Sequence, residues 1–384
     1  MNLQRIATIA WKEWRETIRD RVFVLLAFLL PLLWMIVFGY GLVQDVEDIP
    51  FAVVDRDQSS LSRDYLYRFF ESRYFSFQGY ASNEKEAEAL LQRGKIRLAI
   101  IVPEKFEEQL FQGQPAGSQT LIDGTFPLRT DIVKGYLIAI NSAFSAERLA
   151  DYLSRRKGIS VEQAENQTHP IKTEVRYLYN EEVRSTWSMV PALVMFTLMV
   201  SSPLLTALGI VREKETGSIY NIYSSTVTRF EYLAGKLLPY VMISSVNAFL
   251  LWIIATRWFA VPFKGNLPFF MAASVVFVLS STGIGLFVSL LVRTQIAALV
   301  ITMVASMLPT ILFSGLIVPV SSLSRGSQIQ AHLFPGMYFT NIVRGTFLKG
   351  VGVEVLWIDV FALAVYAFVL RSVGYRLFTK RPRS

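Results

Sequence analysis

The sequence predicts a polytopic α-helical membrane protein with six transmembrane helices and an inserted extracytoplasmic α/β domain. Three observations carry that prediction. Long charge-free blocks recur along the chain, one extended charged segment interrupts them, and Lys and Arg are distributed unevenly between the connections. Hydrophobic residues make up 52% of the 384 residues, and they are concentrated in the blocks. Residues 22–44, 185–211, 237–256, 265–292 and 294–324 contain no Asp, Glu, Lys or Arg. A hydrocarbon core about 30 Å thick is crossed by roughly 20 apolar helical residues, so each block can span it. A sixth block, residues 353–370, carries Glu354 and Asp359 near one end and completes the set.

Residues 3–19, LQRIATIAWKEWRETIR, precede the first block. Helical spacing puts Leu3, Ile6, Ala7, Ala10, Trp11, Trp14 and Ile18 on one face and Arg5, Lys12, Glu13, Arg15, Glu16 and Arg19 on the other. Residues 1–21 therefore read as an amphipathic helix in the cytoplasmic interface, with Trp11, Trp14 and Arg15 its characteristic residues. It also fits a helix packed on a soluble partner. The span at 22–44 contains Pro31 and Trp34 and runs on without a small-residue cleavage site, so it reads as retained rather than as a secretory signal.

Residues 45–184 alternate strand and helix signals, as a small sheet covered by helices requires. PFAVVD, YFSFQGY, IRLAIIVP and SQTLIDGT read as strands. SSLSRDYLYRFFES, SNEKEAEALLQRGK (opened at Ser82 with Glu86 nearby, closed at Gly94) and PEKFEEQLFQG read as helices. From Leu128 a helix of about 28 residues, some 40 Å long, follows with Ile132, Tyr136, Ile140 and Phe144 on one face. Residues 157–174 are polar and loop-like.

The five-helix region 185–373 holds two special segments. Between its first two spans, residues 212–236 open on the charged collar Arg212-Glu213-Lys214-Glu215. Gly217-Ser218 breaks that helix, Ile219, Ile222 and Tyr223 form a short apolar stripe, and Thr228 can cap a helix led by Arg229 and Glu231. This spacing predicts a short helix across the mouth of the bundle, and it is equally compatible with an ordinary solvated loop. Later, residues 319–350 are punctuated by Pro335-Gly336. Residues 374–384 form a basic tail.

Orientation follows from Lys and Arg. With the N-terminus cytoplasmic, the inner segments hold 15 of them and the short outer loops 5. Both termini are therefore expected inside. Residues 45–184 carry the other 18 along with 22 acidic residues, a net charge of −4, which is no nucleic-acid surface. The overall +8 fits topology and anionic headgroups instead.

Catalytic and energy-coupling chemistry is missing from the sequence. There is no cysteine, which excludes disulfides, thiol nucleophiles and iron–sulfur clusters. His169 and His332 stand in no metal-ligand spacing. Gly94-Lys95 and Gly235-Lys236 lack the rest of a phosphate-binding loop, and G-x-S-x-G does not occur. The five strong spans bear no carboxylate or histidine for ion coupling, and Asp359 near the end of the last is read as interfacial.

At VREKETGSIYNIYSSTVTRFEYLAGKLLPY (211–240) the chain resembles the type-2 ABC exporter permeases. RTQIAA (293–298), FSGLIVPVSSLS (313–324), FPGMYFTNIVRGTFLKG (334–350) and the outer domain between spans one and two extend the resemblance to nearly the whole chain. It implies that Arg212, Glu213, Lys214, Glu215, Gly217, Ser218, Ile219, Ile222, Arg229, Glu231, Gly235 and Lys236 form a coupling loop. That loop would dock on a separate ABC ATP-binding subunit. Family members often carry an acidic residue where Tyr220 stands and a proline where Thr226 stands. The helix at 3–19 is similar to the family's connector helix. Pro335, Gly336, Tyr338 and Arg344 belong to what looks like its outer re-entrant segment.

The resemblance implies a non-catalytic permease subunit of an ATP-driven exporter in a bacterial inner membrane, active in efflux. It would bind no cofactor itself, ATP and Mg²⁺ residing on the partner. It would pair with a second copy or a paralogous permease through spans one and five, contact membrane lipids, and work with a periplasmic adaptor protein. Apolar, aromatic-rich spans suit a hydrophobic or amphipathic substrate, drug-like or lipid-like. The competing readings are a membrane-anchored receptor or sensor using the outer domain, and a channel or ion-coupled carrier.

Overall fold

In the computed structural model, the described residues are 2–41, 46–160, 162–163, 176 and 178–378. His169, most of the loop 157–174, the tail beyond residue 378 and the side chains of Leu128 and Tyr223 lie outside them. The chain divides into two compact units, Gln44–Arg176 on one hand and Met1–Val43 with Tyr177–Ser384 on the other.

The second unit contains six helices long and apolar enough to cross a membrane. After α1 (Leu3–Arg19) come α2 (Arg21–Gly41), α7 (Ser185–Glu215), α9 (Arg229–Trp258), α10 (Leu267–Leu291), α11 (Gln295–Phe313) and α14 (Val353–Leu377). Short helices α8 (Ile219–Tyr223), α12 (Arg325–His332) and α13 (Pro335–Arg344) complete it. Helix α7 is central, its apolar stretch wholly buried and packed by α2, α9, α10, α11 and α13. Its Val190, Val194, Leu198 and Met199 share a core with Phe270, Phe277, Phe339 and Phe347, in which Phe277 and Phe339 stack at 4.0 Å.

Backbone breaks inside spans need protein partners, because hydrocarbon offers none. Pro31 cannot donate to the Ala27 carbonyl, and the helix is locally wide at Leu25–Leu29. The buried Asn247 side chain of α9 donates to that carbonyl instead, at 2.6 Å. Between spans, Ser280 of α10 donates to the Leu363 carbonyl of α14 at 2.7 Å.

The α/β unit has four strands: β1 (Ile49–Asp55), β2 (Phe75–Tyr80), β3 (Leu98–Val102) and β4 (Gln119–Ile122). Their order is β2-β1-β3-β4. Strand β1 runs parallel to β2 and β3, and β4 is antiparallel to β3. The helices between them are α3 (Ser60–Phe70), α4 (Glu84–Gln92) and α5 (Phe106–Phe111). Strands buried on both faces read as unbroken apolar runs, which is why PFAVVD and LAIIV look as they do. Phe51, Val53, Leu98 and Ile100 pack against α3, α5 and the long α6 (Pro127–Lys157), whereas Ala52, Val54, Ala99 and Ile101 face α4. The cap of α4 is Asn83 rather than Ser82, and the Glu86 carboxylate accepts from the Ser82 amide.

Candidate functional site

Helix α7 ends in its charged collar, and α1 docks beside that end. Docking is possible because position 235 on α9 has no side chain: a Cβ there would lie 2.8 Å from the Ile9 Cβ and 2.9 Å from the Ile6 carbonyl oxygen. With the backbones this close, α1 turns Ala10, Glu13 and Thr17 inward and leaves Leu3, Trp11 and Ile18 exposed. Helical spacing alone puts Glu13 on the solvated face. Its partner decides otherwise, because Lys236 is buried on α9 and needs a counter-charge.

The Lys236 ammonium reaches Glu13 Oε2 at 2.5 Å and Glu213 Oε1 at 3.1 Å. Lys12 Nζ lies 3.0 Å from that same Glu213 oxygen. Tyr232 donates to Glu213 Oε2 at 2.6 Å, and Tyr240 donates to Glu13 Oε1. Glu16 lies 3.6 Å from Lys12 as well, so three carboxylates meet two ammonium groups and two phenols here. Burial, the largest influence on Lys12, pushes its ammonium down. Glu213, with help from Glu16 and Glu13, outweighs it and holds the group above the usual lysine range.

Further ties surround this core. Arg212 pairs with Asp20 at 2.7 Å, where α1 meets α2. Thr228 and Glu231 form a capping box at the start of α9. The same Glu231 carboxylate accepts the Asn2 amide at 2.8 Å, while Arg5 donates to the Thr226 carbonyl at 3.0 Å. Lys214 donates to the Ser289 carbonyl, and Glu215 accepts from the Gln295 amide and side chain at the start of α11. Five helices are therefore fastened together around the α7 terminus.

Gly217, at φ 75°, turns the chain into α8, and the Ser218 hydroxyl donates back to the Glu213 carbonyl at 3.4 Å. Ile219 is buried and Ile222 packs beside it, on Tyr232, Leu233 and Phe378. Of the residues expected in the loop, Glu213, Ile219, Glu231 and Lys236 are therefore internal fasteners. Exposed instead are Glu215, Tyr220, Asn221, Ser224, Thr226 and Arg229, a small polar and aromatic patch. Arg15 is exposed as well, and Trp14 packs toward Phe23, Ala27 and Leu208.

The segment after span five is a second built feature. Pro335 opens α13, and Gly336 sits so close to α7 that a Cβ would lie 3.3 Å from Met195 Sδ. Met195 and Glu213 are eighteen residues apart, about 27 Å along α7, so the two features occupy opposite halves of that helix. Arg344 donates to the Leu316 carbonyl at 3.2 Å, and Tyr338 donates to the His332 carbonyl at 3.0 Å. Asp359 accepts from Asn341 at 3.0 Å, which gives that carboxylate a local partner.

Comparison with known proteins agrees with this architecture. A family model described as ABC-2 family transporter protein matches residues 21–376. The probable multidrug ABC transporter permease YbhS of Escherichia coli K12 is 28% identical over 382 residues, 99% of this chain and 98% of that one. The probable multidrug ABC transporter permease YbhR of the same strain is 26% identical, covering 98% and 99%. The linearmycin resistance permease protein LnrN of Bacillus subtilis 168 is 23% identical, covering 70% and 72%.

Proposed function

The chain belongs to the ABC-2 transporter family, and from that premise we propose that it is the permease of an exporter driven by a separate ATP-binding subunit. The family makes it a multi-pass inner-membrane subunit whose partner carries the ATPase. The proposal adds direction, docking surface and cargo. The patch around α8, with Tyr220, Asn221 and Arg229 exposed, docks the ATP-binding subunit on the cytoplasmic side. The observation that carries this is the buried Glu13–Lys236–Glu213 junction directly behind the patch. A push on α8 meets one junction that joins α1, α7 and α9, and so moves spans rather than bending a loop.

Two further points support the reading. Leu25, Leu29, Leu33 and Val37 of α2, and Val300, Val304, Leu308 and Leu312 of α11, form exposed apolar stripes at intervals of four residues. They suit pairing with a second copy or a paralogue through spans one and five. The relatives named for multidrug transport and linearmycin resistance favour hydrophobic or amphipathic cargo moved outward.

Co-purification tests the docking surface. The full chain, expressed with its ATP-binding subunit, should retain that subunit in stoichiometric amount. Tyr220→Lys combined with Arg229→Glu should lose most of it while the chain remains monodisperse. Full retention by that variant would place the docking surface elsewhere.

A further inference from the structure

The inner half of the bundle contains a groove that coupling does not use. It lies between α9, α10 and α14, has a volume of about 710 Å³, and is walled by Leu233, Leu237 and Phe368 with Arg371, Tyr375 and Arg376 at one end. Phe368, Tyr375 and Arg376 are exposed, so the groove opens on the outside of the bundle. Among the described residues, no acidic one lines it. Arg371 is the unusual member: its Nε and Nη2 are buried and have no hydrogen-bond partner among the described residues. A guanidinium kept inside an apolar groove costs free energy unless an anion or several acceptors meet it.

Depth identifies the anion. Arg371 is eighteen residues from Val353, where α14 begins, or about 27 Å along the helix axis, and Arg376 is about 35 Å along it. A hydrocarbon core is about 30 Å thick, so the two guanidiniums bracket its edge, Arg376 on the headgroup side where lipid phosphates lie, while Phe368 lies within acyl-chain depth. Phe378 stacks on Tyr232 at 5.3 Å, which puts this end of α14 on the same side as the collar of α7.

We propose that this groove seats one anionic phospholipid, its phosphate held by Arg371 and Arg376 and one acyl chain laid along Leu233, Leu237 and Phe368. Arg presents a planar fork matched to phosphate oxygens, and the aromatic and aliphatic walls complement a chain. The assignment of the groove to the cytoplasmic leaflet rests on the function proposed above, but lipid binding itself does not.

The test uses the full chain in nanodiscs of equal phosphatidylglycerol and phosphatidylcholine, released into mild detergent and weighed by native mass spectrometry. The wild type should hold one phosphatidylglycerol in preference to phosphatidylcholine. Each arginine should contribute about fivefold to that preference, so Arg371→Ala and Arg376→Ala should each lower it by that factor. Arg376 is exposed, so Arg376→Ala gives a reading even where loss of Arg371 compromises folding. Excess inorganic phosphate should leave the lipid bound. Equal retention of both lipids by the wild type, an unchanged preference in Arg376→Ala, or displacement by inorganic phosphate alone would each overturn the assignment. None of these readouts involves ATP hydrolysis, so failure here is separable from failure of the permease reading.

Discussion

Lys236 is the residue on which the junction turns. Removing one partner of a buried ion pair leaves an uncompensated charge and costs about 3–5 kcal/mol, whereas replacing both partners by apolar residues is often close to neutral. Lys236→Met should therefore lower the thermal midpoint of the detergent-solubilised chain sharply. Adding Glu13→Leu should recover much of it, because Glu213 keeps Lys12. Equal loss in the single and double variants would show that charge pairing does not hold α1. Asn247 makes a comparable case in the spans: Asn247→Leu orphans the Ala27 carbonyl, a loss of about 1–3 kcal/mol. Pro31→Ala supplies a backbone donor to that carbonyl, so the double variant should be more stable than Asn247→Leu alone. A double variant no more stable would remove this account of the wide turn. The Thr228–Glu231 capping box was legible because its parts lie three residues apart. Glu13 and Lys236 are separated by 223 residues, and nothing local marks them as partners.

At the scale of elements, the same partnership explains why helices run past the charge-free blocks. The third charge-free block starts at Leu237, but its helix begins at Arg229 behind the Thr228 cap that the sequence predicts, and Glu231 and Lys236 are paired inside the protein. The last span likewise continues through Arg371 to Leu377. Wide turns at Leu25–Leu29, Ile254–Trp258 and Gly345–Lys349 had no sequence signal beyond the nearby Pro31 in the first case. In the outer domain, strand and helix identities followed from apolar runs and caps, while the order β2-β1-β3-β4 depends on pairings that composition does not encode. The antiparallel β3–β4 pair is closed by Asp123, whose carboxyl is brought down to about 2 by the Thr125 hydroxyl and amide and then by Arg97. A depressed carboxylate stabilises the fold above its unfolded value, near 4, and that contribution disappears as pH falls toward 2. Amide exchange at β4 in the full chain should accelerate between pH 4 and 2 beyond the intrinsic trend, and Asp123→Asn should remove that acceleration. Identical profiles for the two proteins would contradict this assignment.

Across the whole molecule, membrane class was legible because hydrocarbon thickness imposes a length on every span, and the sequence repeats that length. Sidedness rests on the 15-to-5 distribution of Lys and Arg and can be tested directly, since the chain has no native cysteine. With single cysteines at exposed positions, an impermeant maleimide should label Ser321→Cys in intact cells and Ser224→Cys only in inverted vesicles. The reverse pattern would invert the proposed topology. Pairing of copies, cargo and any adaptor depend on surfaces completed by other molecules, which one chain's residues constrain only through their exposed stripes. The most direct test of coupling through the α8 patch is ATP hydrolysis by the complex in proteoliposomes. Tyr220→Lys with Arg229→Glu should lower permease-stimulated hydrolysis at least about tenfold, a loss near 1.4 kcal/mol, with the partner's basal rate unchanged. Stimulation equal to wild type in that variant would contradict the account.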